Sequence, residues 1–227
     1  MPATSLPTGA SLSPTIIRVT GDMIAHDTGN MALMMWRSET ACQPAGPVVV
    51  AVAGVAGSGK STLGRALATA LGAPLLDLDS LTNPLLDGLP PDVLGGHWLA
   101  SPHSAAIRDG RYAALRAVAR DALATAGRAV LVAPFTAELR GGPEWDLLRG
   151  AAGDDLRVVH LAGEAALFTA RRAGRAEIRD RHRTALPPEP PSVPVIPVDA
   201  EIPTDQQLQV VLAALYPSSS SSSAPSD

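Results

Sequence analysis

The sequence predicts a three-layer α/β fold around a mostly parallel sheet of about five strands. Three observations carry this expectation. Short apolar runs alternate along the chain with segments of helical pattern, as in repeated strand–helix units. The apolar runs are continuous instead of alternating with polar residues, which suits strands buried on both faces. The 227 residues, 46% of them hydrophobic, suffice for one such domain with a substantial core. Aromatic residues make up only 3%, so Ala, Leu and Val must build most of that core.

The elements follow in order. PVVVAVAG (47–54) is a β-branched run ending in glycine and reads as the first strand. Residues 61–71 read as a helix closed by Gly72. APLLDLD (73–79) is the expected second strand, and 104–126 a long Ala-rich helix stopped by Gly127. RAVLVAPF (128–135) is the third strand and PEWDLLRG (143–150) a short helix. LRVVHLA (156–162) is the fourth strand, followed by a helix over 164–173. PVIPVD (194–199) and DQQLQVVLAALY (205–216) complete the pattern as a fifth strand and a last helix.

Both ends fall outside this pattern. Residues 1–45 contain all five methionines and read as a poorly ordered extension, or as an arm with MALMMW as an apolar anchor for a partner. Residues 217–227 are Ser-rich, cannot bury a core, and read as a disordered tail. The folded domain is therefore expected over 46–216.

Composition narrows the function classes. A net charge of −4 gives no global footprint for nucleic acid or an anionic membrane. The single cysteine, Cys42, excludes an internal disulfide framework and fits a reducing compartment. No run reaches the roughly 18 apolar residues of a membrane span, and the first residues lack the pattern of a secretory signal. The expectation is a cytoplasmic protein without nucleic-acid or membrane partners. No feature of the sequence indicates an oligomeric state.

Chemistry enters at GVAGSGKST, Gly54 to Thr62, which fits G-x-x-x-x-G-K-[ST] at every fixed position. The match follows a buried-strand run and opens a helix, as the phosphate-binding mechanism requires. Glycines let the backbone bend round an anion with several N–H groups turned inward, and the helix N-terminus adds partial positive charge. Gly54, Gly57, Ser58, Gly59, Lys60, Ser61 and Thr62 form the expected nucleotide-binding set. The Ser61 hydroxyl is suited to Mg²⁺. Lys60 is the only lysine among 18 Lys and Arg residues. A compact ammonium on a flexible stem is not replaceable by a planar guanidinium in so tight a loop.

Other stretches bear on the reaction. Asp77 and Asp79 end the second strand two positions apart, so an extended backbone would turn both carboxylates to one side. Strand C-termini face the ligand crevice in open α/β sheets. A carboxylate there can hold a Mg²⁺-bound water or accept a proton from an acceptor hydroxyl; either aspartate could instead cap the following helix. The third strand runs into Pro134-Phe135-Thr136, without the acidic end that many ATPases carry, so Asp77 and Asp79 are the expected carboxylates for Mg²⁺. Arg171, Arg172, Arg175, Arg179, Arg181 and Arg183 crowd one segment, as a lid neutralising a transferring phosphoryl group would. Arg108, Arg111 and Tyr112 lie near the start of the long helix and read as candidates to grip an acceptor; a solvated helix face is the plain alternative.

The chain resembles the P-loop small-molecule kinases of the shikimate kinase and gluconate kinase branch over roughly residues 47–216. The resemblance rests on GVAGSGKSTLGRALATALGAPLLDLDSL, the arginine-bearing 171–183 and VDAEIPTDQQ. LVAPFTAELRGGPEW also resembles bacterial proteins described as AAA-family or ATP-binding P-loop proteins. The resemblance implies a P-loop NTPase fold and ATP with Mg²⁺. It assigns nucleotide and Mg²⁺ roles to Lys60 and Ser61, metal and acceptor roles to Asp77 and Asp79, and phosphate contacts to Arg171 and Arg175. The expected activity is transfer of the γ-phosphoryl group to a hydroxyl of a small metabolite, with Asp79, Arg108 and Arg111 on the acceptor. A nucleotide-dependent regulator and a phosphotransferase acting on an antibiotic are the alternatives.

Overall fold

The computed structural model describes residues 48–173 and 190–217, all within the second of two compact units, Ala41–Asp227. The expected N-terminal extension, the tail beyond 217 and the segment 174–189, with Arg175, Arg179, Arg181 and Arg183, lie outside the described residues.

Five strands form one all-parallel sheet in the order β2-β3-β1-β4-β5. They are β1 (Val48–Gly54), β2 (Leu75–Asp77), β3 (Arg128–Val132), β4 (Leu156–Ala162) and β5 (Ile196–Asp199). The helices are α1 (Lys60–Leu71), α2 (Leu78–Asp87), α3 (Pro91–Leu94), α4 (Ser104–Ala126), α5 (Pro143–Ala152), α6 (Ala165–Ala173) and α7 (Thr204–Leu215). The expected five-stranded parallel α/β architecture is present.

The continuous apolar runs have the burial that motivated them. Residues 49–54 of β1 are all buried, and its successive side chains serve opposite faces. Val49, Ala51 and Ala53 join the core under α4 and α5, with Leu115, Ala119 and Leu148. Val50 and Val52 join the core on the other face, with Leu63 and Leu67 of α1 and Val211 of α7. Each fully buried leucine contributes about 1.5–3 kcal/mol. The paucity of aromatic residues is met by this Ala/Val/Leu packing, with Phe135 and Phe168 buried among it.

The second strand departs from expectation. It ends at Asp77, and α2 begins at Leu78. The cause is local: Asp77 Oδ1 accepts from the Asp79 backbone N–H at 3.0 Å and caps α2. Asp77 and Asp79 therefore do not share one side of an extended strand. The first is the cap and the second lies in the opening helical turn. The third strand is likewise shorter than read, ending at Val132, because the chain turns at Phe135 with φ +50°.

Candidate active site

The sheet order places the C-terminal ends of β2, β3 and β1 side by side, and the site is built on the segments that leave them. After β1 the chain passes through 55–59 into α1. Gly57 and Gly59 hold φ of +88° and +96°, which suits glycine alone. A Cβ at Gly57 would stand 2.6 Å from the Phe168 carbonyl oxygen, so this position also needs glycine for space. The Thr62 and Leu63 N–H groups both donate to Gly59 O at 3.0 Å. The N–H groups ahead of them in the first turn have no intrahelical acceptor, which is the usual basis of anion binding at a helix N-terminus. Lys60 Nζ donates to Val55 O at 2.7 Å, keeping the ammonium at the loop. The loop thus has the backbone and charge that a phosphate group requires.

Asp77 links this loop to the next strand. Its Oδ2 accepts from the Ser61 hydroxyl at 2.7 Å while Oδ1 caps α2. Asp77 is 8% exposed, and both its oxygens are engaged. Ser61 and Asp77 form a hard oxygen set that fits Mg²⁺. Among the described residues no three His, Cys, Asp or Glu side chains converge as a preformed metal cage. That fits a Mg²⁺ held by one or two side chains together with substrate phosphates.

A second polar cluster is joined to the same framework. Arg111 reaches from α4 to α2, with Nη2 2.6 Å from Asp79 Oδ1 and 2.9 Å from Asn83 Oδ1, and Nε 2.7 Å from Thr82 Oγ1. Its guanidinium lies over the Trp98 ring, 4.7 Å from the centroid. Trp98 is in turn anchored by its indole N–H on Asp87, at 2.8 Å. Arg108 lies over the Tyr112 ring at 4.5 Å, as their i, i+4 spacing on one helix face allows.

Two residues of this region take places that the sequence does not show. Tyr112 had been paired with the arginines as an acceptor candidate. Instead it is buried, and its phenol oxygen accepts from the Phe135 N–H at 3.1 Å. This bond holds a bulky residue in the left-handed region, a conformation that costs on the order of 1–3 kcal/mol. Burial, then the nearby Glu138 carboxyl, pushes the Tyr112 phenol well above the usual range. Glu138 is the second. The acid missing at the end of β3 arrives here, six positions beyond Val132, folded back under α4 at 2% exposure. Its Oε2 is 3.4 Å from Arg108 Nη2, and its Oε1 is buried without a hydrogen-bond partner. Burial raises its carboxyl above the ordinary value, with its own backbone N–H and Arg108 acting in the opposite direction. Nothing in AELRGG marks this glutamate as buried; its neighbours read as a polar turn.

Of the arginine-rich segment, only Arg171 and Arg172 are described. Arg171 Nη1 donates to Ala200 O at 3.0 Å, beyond the end of β5. Arg172 has its stem at the phosphate loop, where a Cβ on Gly57 would lie 3.3 Å from its Cγ. It was read as part of the cluster but not singled out.

The model of an AAA domain family, AAA_33, matches residues 49–187, more than half of the chain. The chain belongs to this family. A search of curated protein sequences gave no match. Among solved structures, APS kinase from Mycobacterium tuberculosis, in complex with AMPPNP and APS, is 25% identical. The match covers 77% of this chain and 100% of that one, with a TM-score of 0.54. A provisionally assigned kinase from Chloroflexus aurantiacus is 22% identical over 75% of this chain and 97% of its own, with a TM-score of 0.55. A gluconokinase from Sinorhizobium meliloti is 24% identical over 75% and 93%, at a TM-score of 0.49. The AAA-domain chain thus has a P-loop kinase-like fold, in agreement with the resemblance read from its motifs. Among the described residues no helix is long and apolar enough to cross a membrane.

Proposed function

We propose that this AAA-domain protein is an ATP- and Mg²⁺-dependent kinase that transfers the γ-phosphoryl group to a hydroxyl of a small metabolite. The observation that carries the reading is a continuous polar chain from the phosphate loop to the facing helix. Ser61 donates to Asp77, Asp77 caps Asp79, and Asp79 holds Arg111. A loop that only bound nucleotide would not need to be wired to a second cluster of charged side chains.

In this reading Gly57, Gly59 and the first N–H groups of α1 cradle the donor phosphates, with Lys60 following the β- and γ-phosphates. Ser61, with Asp77 and Asp79 behind it, is the set that would hold Mg²⁺, which supplies neutralisation of phosphate charge when bound. Asp79 orients the acceptor hydroxyl and takes its proton, while Arg111 fixes the Asp79 carboxylate from the far side. Arg108 and Arg111 face the acceptor, and Arg171 and Arg175 are the proposed lid contributions. Phosphoryl transfer passes through a loose transition state, so most of the protein's task is positioning and charge stabilisation.

The test is acceptor-dependent ADP release, screened over polyols, sugar acids and nucleosides. One chemical group should stimulate release well above the slow background. Uniform background release with every acceptor would favour a nucleotide-dependent regulator.

A further inference from the structure

We infer that Glu138 sets acceptor specificity: by neutralising Arg108 from beneath, it fits the acceptor face of α4 to an uncharged, hydroxyl-bearing molecule and against a carboxylate- or phosphate-bearing one. This rests on the kinase reading only in calling the ligand an acceptor; the binding preference stands by itself.

The argument is one of charge at close range. Arg108 and Arg111, the two guanidiniums proposed to face the acceptor, are both compensated. Arg111 is 11% exposed and paired with Asp79 at 2.6 Å. Arg108 has Glu138 at 3.4 Å on Nη2 and Asp109 at 3.6 Å on Nη1. Asp79, Glu138 and Asp109 thus give three carboxylates paired directly with the two guanidiniums. An anionic acceptor would have to displace a carboxylate from an arginine it is meant to bind. The displaced partner would be costly at Glu138. This carboxylate is almost fully buried and already has one oxygen unsatisfied, so drawing Arg108 away would leave a buried charge with only its own backbone N–H and the Arg116 field to offset it. Asp109, by contrast, is 76% exposed and can turn to water.

A neutral polyol meets no such obstacle. Asp79 accepts from a hydroxyl, and guanidinium N–H groups donate to hydroxyl oxygens without giving up their carboxylates. Selectivity then comes from repulsion as much as attraction, with a carboxylate paired to each cation an acid would seek and the one behind Arg108 buried. Glu138 acts through Arg108 and is a positioning residue.

The experiment uses a matched pair, D-glucitol and D-gluconate, which differ at one end by CH₂OH against COO⁻. The full-length protein is first saturated with Mg²⁺ and a non-hydrolysable ATP analogue, so that the phosphate loop is filled. Failure at that step would count against the kinase reading alone, and the titration would then proceed with phosphate filling the loop. Calorimetric titration at pH 8 follows for the parent, Glu138→Gln, and Glu138→Gln with Arg108→Gln. The expected result is at least a ten-fold gain in gluconate affinity in Glu138→Gln, with glucitol changed less than three-fold, and loss of that gain in the double variant. No gain, a gain that persists without Arg108, or a parent that already prefers gluconate would overturn the inference. Glu138→Met, whose side chain suits a buried site, serves the same comparison if Glu138→Gln does not give a cooperative melt.

Discussion

Arg111 and Asp79, 32 positions apart, meet at 2.6 Å and tie α4 to the opening turn of α2. The same guanidinium satisfies Thr82 and Asn83, which are 8% and 6% exposed. Thr82 would keep its bond to Leu78 O, at 2.6 Å, but removing the guanidinium would leave the buried Asn83 Oδ1 unpaired, at about 1–3 kcal/mol, and would break the ion pair with Asp79. Arg111→Met should therefore lower unfolding stability by about 2 kcal/mol or more, read from denaturant midpoints. Arg111→Lys should recover little, because one ammonium cannot reproduce a fork with three partners.

Asp77 performs two tasks that separate experimentally. Asp77→Ala removes the cap of α2, with an expected loss of about 0.5–2 kcal/mol. It also releases Ser61. Nucleotide affinity measured with Mg²⁺ should fall by more than affinity measured without it. Equal losses in both conditions would assign Asp77 to the fold alone.

Two glycines make a contrasting pair. Gly57→Ala places a Cβ against the Phe168 carbonyl at φ +88° and should abolish nucleotide binding. Gly110 is exposed within α4 and has open space around the Cβ position. Gly110→Ala should stabilise the protein by about 0.5–1 kcal/mol with nucleotide binding unchanged.

Glu138 should leave a mark on stability against pH. Burial raises its carboxyl above the ordinary carboxylate value, so the folded state holds this proton more tightly than the unfolded state. The folded chain binds more protons between the two values, and stability falls as pH rises through that window. The parent protein should thus lose stability relative to Glu138→Gln as pH increases from about 4.5, until the carboxyl is ionised in both states. Paired thermal melts across that range would show a constant difference if Glu138 titrated normally.

Sequence periodicity carried the architecture because the central strands β1 and β3 are buried on both faces and α1 and α4 close on recognisable glycines. Gly72 and Gly127 end α1 and α4 in the left-handed conformation, as their positions suggested. The phosphate loop was legible for a related reason: its chemistry is local, and consecutive residues supply it. The acceptor side was less so. Asp77 and Arg111 take their roles from partners 16 and 28 to 32 positions away, which no spacing rule encodes. Glu138 was invisible because a charged residue beside glycines normally faces water, and only the return of its loop under α4 buries it.

The central claim is transfer of phosphate to an acceptor, and product analysis tests it most directly. ³¹P NMR of a reaction containing ATP, Mg²⁺ and the stimulating acceptor should show one new phosphoester for each ADP formed. Asp79→Asn should lose that resonance while still binding ATP. Inorganic phosphate appearing in step with ADP, with no phosphoester, would contradict the account, as would an Asp79→Asn protein that makes the phosphoester as fast as the parent.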